Sequence, residues 1–198
     1  MSARSKRQQM RERNRRRQLS MNFVWGGLGI AAVAVIGWLV LQSTRPSAPA
    51  ASAAGEAVTV MASSAHVPVD SDPGQYNSNP PTSGPHYPDE LDAGFYDTNN
   101  YQYPAGYLVH NLEHGYVIFW YNCDLLDEAG CAALKKDIRA TMDELGGTKM
   151  IAYPWPSIDI PLVLTSWGRM QRFETFNAEQ AKAYYRANLN KAPEPNAP

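Results

Sequence analysis

Two histidines and a glutamate lie within five residues of one another in the segment HNLEHG, residues 110–115. Histidines four positions apart lie on one side of the chain in both a helix and a strand. Four residues are close to one helical turn of about 3.6 residues and equal two repeats of a strand, whose period is about 2.0 residues. Only a helix also brings Glu113 to that side. Since imidazole and carboxylate groups bind metals and transfer protons, the segment predicts a metal site or an acid–base site.

The spacing of His110, Glu113 and His114 also matches the H-x-x-E-H pattern of zinc peptidases, in which both histidines bind zinc and the glutamate is the base. Such enzymes need a third protein ligand on a later helix and a large substrate chamber. Only 84 residues follow His114. A metal-dependent hydrolase therefore remains an alternative. Whether the protein is an enzyme stays open, and the missing third ligand favours one that is not.

A smaller metal site is favoured, because neutral imidazoles are common ligands of zinc, copper and nickel. His86 follows the rigid Gly84-Pro85 turn and can complete a three-histidine set, and Met170 adds a soft thioether ligand for copper. The predicted cofactor is therefore a transition metal, zinc or copper. The predicted metal ligands are His86, His110, Glu113, His114 and Met170.

A second interpretation of the same residues stays open. Buried polar side chains are almost always hydrogen-bonded, so the three histidines and Glu113 can instead be anchors that pin an irregular arm to the domain. His66 lies near a predicted linker and is expected to be solvated and outside the site.

The first 22 residues carry eight basic residues against the single acid Glu12, a net charge of +7. Residues 23–41 contain no charge and are long enough to cross a hydrocarbon core of about 30 Å. The positive-inside rule then predicts a single-pass protein of the cell membrane, with the amino terminus in the cytoplasm and the rest extracytoplasmic. A cleaved signal peptide, which would remove about the first 50 residues, is the alternative.

The part of the chain after the basic arm has 10 basic and 18 acidic residues, a net charge of −8. Membrane topology and anionic lipid account for the basic arm, so the lipid bilayer is the expected partner and nucleic acid is not. Cys123 and Cys131 are the only cysteines, and both lie on the predicted outer side. An even count in an oxidising compartment predicts one disulfide between them rather than free thiols.

Composition divides the chain into five parts. Alanine, serine and proline dominate residues 43–64, which cannot bury a core and are predicted to form a linker. The remaining length suffices for one folded domain. The predicted parts are a cytoplasmic arm (1–22), a transmembrane signal anchor (23–42), the linker (43–64), an extracytoplasmic domain (65–191) and a disordered tail (192–198).

Residues 74–104 show no periodicity and are rich in tyrosine and proline, which predicts an irregular arm that packs against the domain or binds a ligand. The segments that follow carry clear patterns of helix and strand. They predict a short helix ending at Gly115, strands over 116–121, 150–153, 161–166 and 170–176, and helices over 127–145 and 177–189, with Asn177 and Gln180 forming a capping box.

This order predicts an α+β fold with one small mixed sheet of three to five strands and two main helices, preceded by the arm and one N-terminal transmembrane helix. A degenerate thioredoxin-like fold is the alternative. In that fold a proline, here Pro161, introduces the third strand, and a glycine turn, here at Gly168, precedes the fourth.

Three motifs in this order carry a family resemblance: NPPTSGPHY at 79–87, VHNLEHG at 109–115 and SWGR at 166–169. Together they resemble domain of unknown function family 3105, over about residues 74–193. The resemblance implies a bacterial, usually membrane-anchored extracytoplasmic domain with no assigned activity. Members of the family often carry a cysteine after the histidine of the arm, and this chain has none at residues 91–94.

The sequence therefore predicts a membrane-anchored extracytoplasmic binding or accessory domain. The most specific version of this prediction is metal binding through the histidines. The alternative from another class is a structural subunit of a membrane-protein complex, with the tyrosine- and proline-rich arm as its docking surface.

Overall fold

A six-stranded mixed sheet and three α-helices make up the part of the chain that the computed structural model describes, residues 52–97 and 103–197. This confirms the α+β class. Within these residues none of the helices is both long enough and apolar enough to cross a membrane. The predicted cytoplasmic arm and signal anchor, residues 1–42, lie outside the described residues.

The elements follow in chain order, with the helices numbered separately from the strands. The helices are α1 (Ala105–Glu113), α2 (Glu128–Glu144) and α3 (Ala178–Asn188), and a 3-10 turn spans Cys123–Leu125. The strands are β1 (Glu56–Ala57), β2 (Gly94–Phe95), β3 (Val117–Tyr121), β4 (Met150–Pro154), β5 (Leu162–Ser166) and β6 (Arg169–Phe173).

The strands lie in the order β1-β6-β5-β3-β4-β2. Strand β4 is parallel to both β3 and β2, and every other pair in this sheet is antiparallel. A parallel neighbour cannot be reached through a tight turn, so the chain must cross over one face of the sheet between β3 and β4. Helix α2 is that crossover.

Strand β3 is buried on both sides, because side chains alternate between the two faces of a sheet. Phe119 belongs to a core cluster with α2 and α3, whereas Ile118 and Trp120 belong to a second cluster with α1. The indole nitrogen of Trp120 donates a hydrogen bond of 2.7 Å to the hydroxyl of Thr165, so the buried ring leaves no unsatisfied donor. Helix α1 is therefore held on the sheet face opposite α2 and α3.

The two long helices begin where their capping residues predict. The carboxylate of Asp127 accepts a hydrogen bond from the amide of Gly130, and the side chain of Asn177 accepts one from the amide of Gln180. Helix α2 turns Leu134, Ile138 and Met142 towards the sheet, one residue for each turn of helix. A disulfide between Cys123 and Cys131 ties the 3-10 turn to the start of α2.

The tyrosine- and proline-rich arm packs on the face of the sheet that carries α1. Within its described part, regular structure is limited to the two residues of β2. Tyr87 and Leu91 are buried, and the ring of Tyr87 lies so close to Gly106 that a Cβ there would be 2.9 Å from ring carbons. Glycine at this position thus lets the arm approach the first turn of α1.

The sheet is larger than the predicted three to five strands, because β1 and β2 add a short strand at each edge. Two residues are too few to leave a periodic signal, so neither strand was predictable. Strand β1 lies within the predicted linker and pairs with Met170 and Arg169 of β6.

The predicted tail also makes contacts, since the ammonium group of Lys149 donates hydrogen bonds to the carbonyls of Pro195 and Ala197.

Four of the strands are ordered β4-β3-β5-β6, with α2 inside the parallel pair and α3 after β6. Residues 155–161, between β4 and β5, are turns and bends rather than a helix. The thioredoxin-like assignment therefore stays a prediction.

The packing of α2 on the sheet predicts the effect of an Ile138→Ala substitution. Ile138 is fully buried, so the substitution should lower the free energy of unfolding by about 2–5 kcal/mol through lost burial and a residual cavity. The measurement is urea denaturation of the full-length chain followed by tryptophan fluorescence. Lys136→Ala, at an exposed position of the same helix, is the control and should change stability by about 0.5 kcal/mol or less. Equal losses in both variants would contradict this packing.

Candidate metal centre

Helix α1 presents His110, Glu113 and His114 on one side and buries Leu108 and Leu112 in the core on the other. Residues three and four positions apart share a helix face, so the helical interpretation of this segment is confirmed. The three polar side chains are themselves largely buried, with relative exposures of 5–6 %. A cover on this face must therefore shield them from water.

Gly115 ends α1 with a φ of +86°, a left-handed conformation that favours glycine. A Cβ at this position would lie 2.6 Å from the Cα of Asn190. The amide of Asn190 also donates a hydrogen bond to the carbonyl of Gly115. The glycine thus turns the chain into β3 and lets the C-terminal segment approach the end of α1.

The cover comes first from His86, which is fully buried in the arm. Its backbone pairs with the segment around His66: the amide of Val67 donates to the carbonyl of His86, and the amide of His86 donates to the carbonyl of Ala65. This pairing brings the His66 ring to within 4.7 Å of the His86 ring and 5.1 Å of the His110 ring, measured between centroids.

His66 was expected to be solvated and outside the site, and its side chain is 50 % exposed. The exposed side chain nevertheless joins the site, because Nε2 of His66 lies 3.8 Å from Oε2 of Glu113. No local pattern marks this residue, since a backbone bridge to His86 across some twenty residues places it there.

A second part of the arm is fixed by Asn111, a fully buried residue of α1. Its side-chain amide donates a 2.8 Å hydrogen bond to the carbonyl of Leu91, and its side-chain oxygen accepts a 3.1 Å hydrogen bond from the Leu91 amide. The neighbouring Glu90 then places Oε2 3.6 Å from Nε2 of His110 and 3.5 Å from Nδ1 of His114. Neither Glu90 nor Asn111 was among the site residues predicted from the sequence.

The hydrogen bonds of His86 define its protonation. Its Nδ1 lies 2.8 Å from the carbonyl oxygen of Gly84, which can only accept, so Nδ1 carries a hydrogen and donates it. Its Nε2 lies 2.9 Å from Oε2 of Glu113. Two lone pairs repel at that distance, so a proton or a cation must lie between imidazole and carboxylate.

Two groups of side chains result, and they share His110. The ligand atoms within each group all lie within 4.8 Å of one another, as a bound metal ion requires. The first group is His66, His86, His110 and Glu113, and the second is Glu90, His110 and His114.

The electrostatics favour a cation at this place. Burial lowers the pKa of His110, and the neighbouring rings of His114 and His86 lower it further. A lowered pKa keeps this imidazole neutral near pH 7, the form that binds metals. Across the described ranges of the chain, the ion-pair partners of Glu90 and Glu113 are all histidines, so no lysine or arginine neutralises these carboxylates.

Two of the predicted site residues make contacts that the sequence did not predict. Met170 lies in β6, and its side chain packs in the hydrophobic cluster that also contains Leu108 and Leu112 of α1. Its role as a metal ligand stays a prediction. Glu113 is engaged by His86 and His66. It is therefore not poised as a base for water held by His110 and His114, as the peptidase pattern would require.

The family model described as protein of unknown function, DUF3105, matches residues 67–198. The chain belongs to this family. The DUF3105 match contains His86, Glu90 and the three site residues of α1, and it begins one residue after His66. Neither the curated proteins nor the solved structures contain a match to the chain.

The geometry of the DUF3105 domain predicts that Asn111 anchors the arm. An Asn111→Ala substitution leaves the buried amide and carbonyl of Leu91 unpaired, so the free energy of unfolding should fall by about 1–3 kcal/mol. Amide hydrogen exchange at Leu91 should accelerate. Asn196→Ala, at an exposed asparagine, is the control. An unchanged exchange rate at Leu91 in the Asn111 variant would contradict this role.

Proposed function

We propose that the protein is a membrane-anchored extracytoplasmic module that binds a transition metal ion through its buried histidines. The observation that carries the proposal is His86, whose Nδ1–H is held by the Gly84 carbonyl while Nε2 faces Glu113. Metal-binding histidines commonly donate their other ring N–H to a carbonyl or carboxylate, which fixes the tautomer and aims the free nitrogen at the ion.

The ligand set supports zinc or copper. Imidazole nitrogens suit zinc and copper, whereas an all-oxygen site would suit magnesium or calcium. Both described cysteines are joined in a disulfide, so neither thiolate competes for the ion. The group His66, His86, His110 and Glu113 offers four protein ligands, enough to complete a tetrahedral shell. A complete shell supports binding of the ion over catalysis, which needs an open position.

The location outside the cytoplasm is supported by two features. The +7 arm before an uncharged stretch of 19 residues fits the positive-inside rule for a signal anchor. The disulfide between Cys123 and Cys131 fits an oxidising compartment.

A proton can take the place of the metal, and the arm would then be pinned to α1 by a hydrogen bond alone. The second candidate function is therefore that of an anchor for the arm, and the 2.9 Å separation of His86 Nε2 and Glu113 Oε2 favours it. A tetrahedral ion with bonds of about 2.0–2.1 Å holds its ligands about 3.3–3.4 Å apart. Metal binding would therefore open this contact by about 0.4 Å.

Metal analysis of the full-length chain in detergent separates the two functions. After equilibration with Zn²⁺ and removal of excess ion, mass spectrometry should find stoichiometric zinc, and the ion should raise the melting temperature. Glu113→Gln and His66→Asn should each weaken Zn²⁺ affinity by at least about tenfold, measured by competition with a chromophoric chelator.

Glu128→Gln, an exposed carboxylate in the first turn of α2, is the matched control and should leave Zn²⁺ affinity unchanged. Substitution of Cu²⁺ for Zn²⁺ in parallel samples decides between the two metals. If neither ion is retained and Glu113→Gln only lowers stability, the anchor function is correct and metal binding is wrong.

Protons should compete with the metal. Imidazole nitrogens must be unprotonated to bind an ion, so Zn²⁺ affinity should be constant near neutral pH and fall as the pH drops below about 6. Chelator competition at several pH values measures the effect. An affinity that stays flat from pH 7 to pH 5 would contradict ligation by histidine.

A further inference from the structure

We infer that the domain binds a second metal ion, held by Glu90, His110 and His114 next to the first. This inference rests on the proposed function and extends it from one ion to a pair. The three side chains form the second of the two groups that can hold a metal, and they come from α1 and from the arm anchored by Asn111.

The distances in this group fit an ion better than they fit hydrogen bonds. Oε2 of Glu90 lies 3.6 Å from Nε2 of His110 and 3.5 Å from Nδ1 of His114. Hydrogen bonds between nitrogen and oxygen are about 2.7–3.2 Å long, so both gaps are too wide. A tetrahedral ion with bonds of about 2.0–2.2 Å separates its ligands by about 3.3–3.6 Å, which matches both gaps.

His114 supplies an independent observation. The residue is 6 % exposed, and within the described residues its buried Nδ1 has no hydrogen-bond partner. Burying an unpaired polar nitrogen costs free energy, and most such atoms have a partner. Nδ1 is also the atom that faces Glu90, so an ion between them would satisfy both side chains.

The C-terminal segment lies beside the other nitrogen of His114. Nε2 of His114 lies 3.7 Å from Oε2 of Glu194, and the amide of Glu194 donates a hydrogen bond to the carbonyl of Glu113. Lys149 holds the same segment and the carbonyl of His114 through three hydrogen bonds. The 3.7 Å gap is too wide for a hydrogen bond, so Glu194 lies beside the ring of His114 without orienting it.

His110 belongs to both groups, and it can serve both ions as an imidazolate: the ring N–H proton is released to solvent when the second ion binds, which leaves one lone pair on each nitrogen. Nε2 faces Glu90 and binds the second ion. Nδ1 is buried and has no hydrogen-bond partner in the described part of the chain, so it remains for the first ion. The first ion also keeps His66, His86 and Glu113. The two ions thus share one imidazole ring.

Zinc stoichiometry tests the second site. The full-length wild-type chain in detergent, saturated with Zn²⁺ and freed of excess ion, should retain two zinc ions. Glu90→Gln should retain one, because it removes one of three ligands at a carboxylate that is 31 % exposed and can be changed without opening the core. Asp89→Asn, at the exposed neighbouring carboxylate, is the matched control and should retain two.

Two further variants separate this inference from the proposed function. Glu113→Gln should weaken the first ion and leave the Glu90 site occupied. Glu194→Gln changes a carboxylate that lies 3.7 Å from His114 but belongs to neither group of ligands, so it should leave both ions bound.

If the wild-type chain retains only one zinc ion, the second site is refuted, whichever variant removes that ion. The proposed binding of a single metal ion then still stands. Two ions that both persist in Glu90→Gln also overturn it. No zinc in the wild-type chain refutes the proposed function itself. Circular dichroism of each variant establishes that a lost ion does not result from unfolding.

Discussion

The contact between His86 and Glu113 joins the irregular arm to helix α1, and the rest of the site depends on it. Both side chains are buried, and burying an ionisable group is expensive unless it is paired. The backbone of His86 in turn holds His66, and Asn111 holds the arm at Leu91 beside Glu90. A buried polar layer of this kind is stable only when its members satisfy one another, with protons or with metal.

The arm explains how a small sheet is buried on both faces. Helices α2 and α3 cover one face, and the short helix α1 with the arm covers the other. A segment without regular structure must satisfy its backbone groups in other ways, and here buried side chains provide partners. Asn111, for example, bonds both backbone groups of Leu91. The arm is therefore a layer of the fold, and its inner surface is the wall of the histidine cluster.

Elements with strong local signals were predictable. Strand β3 is a continuous run of apolar side chains, and α2 and α3 begin at capping residues visible in the sequence. The edge strands β1 and β2 were not predictable, because two residues show no period and their pairing depends on strands far away in the chain. The contacts of residues in the expected linker and tail were not predictable for a similar reason: they are made with β6 and Lys149, across long sequence separations.

The sequence by itself determined that His110, Glu113 and His114 share one face, because helical periodicity is a local property of the backbone. It also indicated His86 as a partner, which the structure places at that face. Only the tertiary structure decided that His66 and Glu90 join them and that Met170 packs in the core. The physical reason is that the irregular arm folds back onto the helix. Long-range backbone pairing and buried hydrogen bonds determine which of its residues contact the helix, and neither produces a periodic pattern in the sequence.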